Sequence, residues 1–424
     1  MDNREQRLAE HSSTEPVSAS KPLCTDELGL GGLLRKNAGA ALEYLWELSA
    51  SIRRPFANIE VIHGRERYSG NQLSILYGGN YENYAFFLNL VYKQFDILEK
   101  QSANISLNPN RWIKKFEDDI DLVFFDLELL YCKLLSGREW LAIPQWIRQK
   151  FIVPESWLEV LSKFRKNTKK TDLRKIRKYD LSFRLTRNES DFRRFYELMY
   201  RPYLQKRFKD EVIIEPKCKF MRQCRKGTLM QILRDDEVVA AVLLHNQQGR
   251  LAYVWVGVPD HIGEEMYKGA FSALYYYTII YGYNMGCREI DFLGSRPLLN
   301  DGLFLYKRKW GTYVEDSPVP RGDILLWPIR FTEAIRSIFA NNFFITRDGR
   351  NLTGKILYDK GTLDKNQLRD LTSRYMTPGL KHMKVYCLYD YTDAVAAWAK
   401  QEDPKIVLVD LSEVENPARA YCSL

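Results

Sequence analysis

Ile290-Asp-Phe-Leu-Gly-Ser295, followed after a short loop by Gly302-Leu-Phe-Leu-Tyr-Lys-Arg-Lys-Trp-Gly311, is the stretch whose reading decides the fold. Residues 288–293 alternate as a strand does, and Gly294 supplies the exit. The segment from Leu303 reads as a short helix stopped by Gly311. Upstream, Phe271, Leu274, Tyr275, Thr278 and Ile279 recur at helical spacing, with an end near Gly282 or Gly286. Before that helix, 229–233, 238–244 and 251–258 read as three strands. The acidic pair Asp235-Asp236 and then Gln248-Gly249 join them into an antiparallel meander. A helix over 191–203, with Phe192, Phe195, Tyr196, Met199 and Tyr200 on one side, precedes the meander. Strands near Tyr313 and over 324–327 are expected to pair and close the unit. The fold class is α/β with an α+β core: a mixed, largely antiparallel sheet with helices over 151–335.

Flanking segments have their own α/β character. In 35–150, residues 73–77 read as a strand running into Gly78-Gly79. Tyr84, Phe87, Leu88, Val91 and Phe95 follow at helical spacing, and 121–126 reads as a buried strand. The Gly-Gly turn before a helix either receives a phosphate or is simply tight. In 336–424, strands at 355–358, 383–388 and 406–410 alternate with helices at 364–375 and 392–400, which favours a parallel arrangement. This segment packs alone or joins the N-terminal one. Residues 1–34, rich in Ser, Glu, Arg and Pro and without an apolar core region, read as a disordered tail rather than a signal peptide.

Hydrophobic residues make up 45% of the 424 positions and charged residues 28%, the balance of a folded protein with more than one core. A net charge of +9 is a modest bias toward anionic partners, well short of a dedicated nucleic-acid binder. The seven cysteines include no Cys-x-x-Cys pair, and only five histidines are present. Neither a metal site nor a disulfide framework is expected, and a reducing, cytoplasmic setting is. Residues 269–287 lack charge, but their Ser272, Thr278, Asn284 and five tyrosines read as a buried helix, not a transmembrane segment.

From 157 to 178 the pattern is helical and basic. Nine Lys or Arg between Lys163 and Lys178 face a single acid, Asp172. Solvated helices commonly intersperse glutamates, so this one-sided run is either a solvated face or an anion-binding element.

The order helix, meander, helix, strand, helix, strand pair resembles the GNAT acyltransferase fold. The quoted 290–295 and 302–311 segments resemble its FemAB-like and CelD/BioF2-like branch, which carries an aspartate-bearing strand, a glycine exit and a lysine-bearing helix ending in Trp/Phe-Gly. The basic helix before the domain is similar too. The resemblance spans about 151–335. It implies an N-acyltransferase moving an acyl or aminoacyl group to an amine such as an amino sugar or peptide. GNAT enzymes that use acyl-CoA open the central helix with Q/R-x-x-G-x-G/A. Here the stretch is His261-Ile-Gly-Glu-Glu-Met-Tyr-Lys-Gly-Ala270. Gly263, Lys268 and Gly269 would present backbone N–H groups to a pyrophosphate there, whereas Glu264 and Glu265 oppose one. Acyl-CoA is therefore one donor, and aminoacyl-tRNA, as in the FemAB branch, the other.

An attacking amine must be neutral and the departing group needs a proton. Asp291 is the candidate base, and a turn cap or a partner for Arg296 is its plainer reading. Tyr306 is the candidate acid, unless it is core. These two are expected to line one groove where the sheet splits. Lys307 and Arg308 would bind donor phosphate or acceptor carboxylate, while Lys309 reads as solvated. Arg296, Asn300 and Asp301 form a polar substrate loop, and Tyr200, Tyr203 and Arg207 resemble the acceptor side. Trp255, Gly257 and Val258 fall where GNAT strands part around the pantetheine arm. His245 is a lesser base candidate. The alternative is a non-catalytic polyanion-binding protein, engaging tRNA or another polyanion through 163–178, on an inactive scaffold.

Overall fold

The structure is a computed structural model that describes residues 57–103, 109–127, 140–208, 214–317, 322–349 and 351–423. The tail expected over 1–34 lies outside the described residues. Three sheets organise the rest.

Seven strands form the middle sheet, in the order Tyr313–Asp316, Ile147–Ile152, Glu289–Ser295, Arg250–Gly257, Glu237–Gln247, Thr228–Arg234, Leu181–Thr186. The meander is present as read, with turns at Asp235 and Gln248-Gly249, all three at positive φ. The helix Glu264–Asn284 covers one face, where Val242, Leu244, Leu251, Phe151, Ile290 and Phe292 join Leu274 and Ile279 in one core. It packs closely because a Cβ on Gly282 would fall 2.8 Å from the Ile290 side chain. The opposite face is covered by the helical stretch from Glu189 to Phe208, which includes a π segment at Tyr196–Tyr200, and by the helix Lys217–Cys224.

A six-stranded sheet holds the N-terminal strands, ordered Tyr92–Ala103, Ala57–Glu66, Gln72–Gly79, Leu122–Asp126, Asp323–Pro328, Leu141–Pro144. Two expectations are corrected here. Tyr313–Asp316 and Asp323–Pro328 are not a pair, because each joins a different sheet. Phe95 is not on the helix, which ends at Val91 and continues directly as the edge strand Tyr92–Ala103. Ile147–Ile152 straddles the expected boundary at 150 and belongs to the middle sheet, while Asp323–Pro328, expected inside the middle unit, belongs to the N-terminal sheet.

The third sheet runs Ile345–Asp348, Asn351–Tyr358, Leu380–Cys387, Ile406–Asp410, with its last three strands parallel as the alternation implied. It does not pack alone. Leu357, Tyr386, Leu411 and Tyr421 share a core with Ile62, Leu122, Phe124 and Leu326 of the N-terminal sheet, and the helix Glu333–Asn341 lies within that core. Asp364 and Gln367 form a reciprocal capping box on the helix Lys365–Tyr375. Among the described residues no helix is long and apolar enough to cross a membrane.

Gly379 begins the join between the third sheet and the middle one. Its φ is +95°, and a Cβ there would lie 1.9 Å from the Val314 carbonyl oxygen. Gly379→Ala should lower stability by about 1–3 kcal/mol, read as an earlier denaturant midpoint with unchanged slope.

Candidate functional site

The parallel pair at the centre of the middle sheet is hydrogen-bonded only over Arg250–Leu251–Ala252 against Glu289–Ile290–Asp291. Beyond that point Arg250–Gly257 stays with Glu237–Gln247, reaching Gly257 opposite Ala241, while Glu289–Ser295 follows Ile147–Ile152. The sheet therefore splits. At the split the second strand bulges: its register shifts between Asp291 and Gly294, and Leu293 sits at φ +63°. The Leu293 N–H donates to Asp291 Oδ1 at 2.8 Å, and buried Lys307 Nζ donates to the carbonyls of Gly294 at 2.7 Å and Leu293 at 3.3 Å. Burial pulls the Lys307 ammonium down to about 7, against the opposing pull of Asp291 and Asp301.

Two adjoining clefts lie on the face covered by Glu264–Asn284. One, of ≈ 400 Å³, is lined by Asp172, Lys175, Lys268, Ser272, Tyr306 and Lys309 among others. Its neighbour, of ≈ 420 Å³, is lined by Tyr203, Lys206, Val258 and Glu264. Arg207 and Tyr267 belong to both. Inside the first cleft Ser272 Oγ is 2.7 Å from Asp172 Oδ1 and 3.1 Å from the Tyr306 hydroxyl. A hydroxyl has one proton, and the carboxylate is the stronger acceptor, so Ser272 gives its proton to Asp172 and accepts from Tyr306. Lys309 Nζ lies 2.8 Å from the same carboxylate oxygen and 3.8 Å from the Tyr306 ring centroid. Burial pushes the Tyr306 hydroxyl well above the usual tyrosine range and lowers Lys309. Tyr306 is thus a proton donor at neutral pH, held in a four-residue polar chain.

Of the expected site residues, the clefts bring together Tyr203, Arg207, Val258, Lys268 and Tyr306. Gly263 is the N-cap of the central helix beside them. Lys268 is one turn into that helix, paired with Glu264 at 2.7 Å, and Gly269 is there for packing, since a Cβ would be 3.0 Å from the Tyr179 ring.

The expectation that Asp291 and Tyr306 share a groove is overturned. Ile290 and Phe292 point into the core beneath the central helix, so Asp291 between them points to the opposite face. There it lies 3.4 Å from Arg148, in a charged surface continued by Lys150, Glu289 and Glu315.

Other candidates hold the molecule together. Arg308 donates to the Ser373 and Met376 carbonyls at the end of the helix Lys365–Tyr375. Arg296 is stacked between Phe86 and Trp146, at 4.0 and 4.1 Å, and donates to Asn83. Asn300 bonds Asn341 and Phe343, and Asp301 caps its own helix at Phe304. Tyr200 and Trp255 pack with Phe220 beneath the other face, and Gly257 lets the backbone of Met199 and Tyr200 approach. His245 bonds the Gln223 carbonyl in the same region.

The basic run is not one helix. Trp157–Lys163 ends before a π turn at Thr168–Asp172, and Leu173–Lys178 follows. Arg165 is spent on the Ser373 and Arg374 carbonyls. The basic run brings Lys175 to the first cleft, and Lys309, read as solvated, is instead mostly covered and paired with Asp172. Asp172, Tyr267 and Ser272 line the clefts without having been singled out as site residues, and of these only Asp172 had left a signal, as the one acid in the run.

Residues 162–308 match the family model for an acetyltransferase (GNAT) domain, so this part of the chain is a GNAT-type acyltransferase domain and the chain an N-acyltransferase whose donor the family leaves open. No curated protein matches. Among solved structures, the chain is similar to FemX (12% identity, covering 63% of this chain and 84% of that one, TM-score 0.33). It is also similar to L-PGS from Bacillus licheniformis (10%, 65% and 86%, TM-score 0.31) and to a GCN5-related N-acetyltransferase from Sphaerobacter thermophilus (12%, 61% and 73%, TM-score 0.28). The assignment rests on the family model. Among the described residues no cluster is arranged to hold a metal ion.

Lys307 gives a pH test. Unfolded, it binds its proton up to about 10.5; folded, it loses it above about 7. Between these values the unfolded chain holds more protons, so stability rises with pH. Wild type should gain stability relative to Lys307→Met as pH is raised from about 7 to about 10.5, measured by urea unfolding at several pH values.

Proposed function

We propose that this chain transfers an acyl or aminoacyl group from an anionic thioester or ester donor, seated in the paired clefts, to an amine. What carries the reading is Tyr306, protonated and hydrogen-bonded through Ser272 to Asp172 and Lys309, inside a cleft rimmed by Lys175, Lys268 and Arg207. Those cations suit a donor's phosphates. Glu264 reduces the fit to a pyrophosphate, and its pairing with Lys268 offsets part of that.

The amine nitrogen attacks the carbonyl carbon, and the C–N bond forms as the carbonyl electron pair moves to oxygen. When the pair returns, the bond to the donor's sulfur or oxygen breaks and Tyr306 protonates the departing atom. Lys309, over the tyrosine ring, stabilises the tyrosinate; a proton then passes from Lys309 through Asp172 and Ser272 to Tyr306, and Lys309, partly open to solvent, takes its replacement from water. The proton released by the amine goes to solvent or a carboxylate. Asp291 is that carboxylate in this reading, for an acceptor entering from the opposite face at the same split. Acyl-CoA and aminoacyl-tRNA remain the two donor classes, both cytoplasmic. The basic stretch borders the cleft at Lys175, where a tRNA donor would meet it. An amino sugar or a peptide amine is the acceptor class.

The full chain should transfer from acetyl-CoA or from alanyl-tRNA to a panel of amino sugars and short peptides. Tyr306→Phe should lower kcat by about 10²-fold with the donor KM nearly unchanged. If tRNA is the donor, its KM should climb steeply with salt. Transfer from neither donor overturns the reading, and a fully active Tyr306→Phe removes Tyr306 from it.

A further inference from the structure

Tyr253 is the first residue of Arg250–Gly257 beyond the hydrogen-bonded parallel stretch, so it stands where the sheet opens. The pairing of its strand with Glu237–Gln247 shifts register just after it, between Tyr253 and Trp255. Its ring packs on Tyr275 and Phe292, with centroids 5.2 and 5.6 Å away, and belongs to the core that Tyr306 packs against.

Only 5% of Tyr253 is exposed, yet among the described residues its hydroxyl has no hydrogen-bond partner. An orphaned buried hydroxyl is costly, and each one calls for an explanation; Tyr253 differs from the orphaned Tyr358 and Tyr386 in standing where the sheet opens. Burial first, and then the hydroxyls of Tyr275, Tyr203, Tyr306 and Tyr267, push it well above the usual tyrosine range, so it holds its proton. Three of those neighbours line the clefts, Tyr203 and Tyr306 in one each and Tyr267 in both. Arg207 satisfies Tyr203 and Tyr267, at 2.8 and 3.4 Å, and Ser272 satisfies Tyr306. Tyr253 itself lines neither cleft, and it is left with a proton to give just behind the tyrosines that do.

We infer that Tyr253 is a catalytic residue of the transfer, its hydroxyl donating to the acyl carbonyl oxygen as that oxygen becomes negative. The inference rests on the acyl-transfer reading above. No proton leaves Tyr253: the carbonyl pair moves to oxygen as the C–N bond forms, the oxyanion accepts the hydrogen bond, and the pair returns as the bond to the departing sulfur or oxygen breaks. The ground-state carbonyl oxygen carries less charge, so the bond strengthens in the transition state and acts on kcat rather than on donor binding.

The test is Tyr253→Phe in the full chain, assayed beside wild type and Tyr306→Phe with acetyl-CoA and with alanyl-tRNA as donors. Removing one such donor lowers kcat by about 10²- to 10³-fold. Donor KM should hold, and the thermal midpoint should be unchanged or higher because an unsatisfied hydroxyl is gone. An unchanged kcat, a change in KM alone, or a lowered thermal midpoint overturns the role of Tyr253 while wild-type transfer keeps the reading above. No transfer by wild type from either donor overturns both.

Discussion

A buried lysine holding two backbone carbonyls is the constraint on which the site depends. Lys307 reaches from its helix to the carbonyls of Leu293 and Gly294, and Asp291 takes the Leu293 N–H from the other side. Together they offset the strain of a leucine in the left-handed region, which is about 1–3 kcal/mol. The bulge they maintain turns Glu289–Ser295 away from Arg250–Gly257. Without it the parallel ladder would run on, and nothing would enter between the strands. Desolvation of Lys307 is the energetic cost of the opening.

The split gives the sheet two chemically different faces. Beneath the central helix, tyrosines converge with Ser272, Asp172, Lys309 and Arg207. Burial keeps the Tyr253 and Tyr306 hydroxyls protonated, so this face is one of donors. On the other face Arg148, Lys150, Glu289, Asp291 and Glu315 form ion pairs centred on the buried Lys150, with only Glu315 well exposed.

The flanking units hold this arrangement from both sides. Arg165 and Arg308 take the terminal carbonyls of the helix Lys365–Tyr375, where the helix dipole is negative and carbonyls lack partners. Arg296 is clasped by Phe86 of the N-terminal unit and by Trp146. The N- and C-terminal sheets bury one shared core, so neither is an appendage.

The sequence by itself determined the local elements: the meander with its turn residues, the tyrosine-rich central helix, the Asp-bearing strand and the Lys-bearing helix. Periodicity and turn chemistry are local, and those readings needed nothing else. It also named Tyr306, on the helix after the glycine exit, as a candidate acid, while leaving open that it is core. Only the tertiary structure decided which neighbours in sequence become neighbours in space. Asp291 and Tyr306 go to opposite faces because a strand alternates its side chains, and whichever face the core takes excludes the other. Arg308, Arg296 and Asn300 are polar residues in a loop and a short helix, indistinguishable by type from ligands until the surfaces they dock against are known. Asp172 meets Ser272, and Tyr253 is left without a partner among the described residues, only once strands and helices far apart in the chain have packed. Burial, which sets both the proton affinities and the unmet hydrogen bond, is a property of that packing and of no single segment.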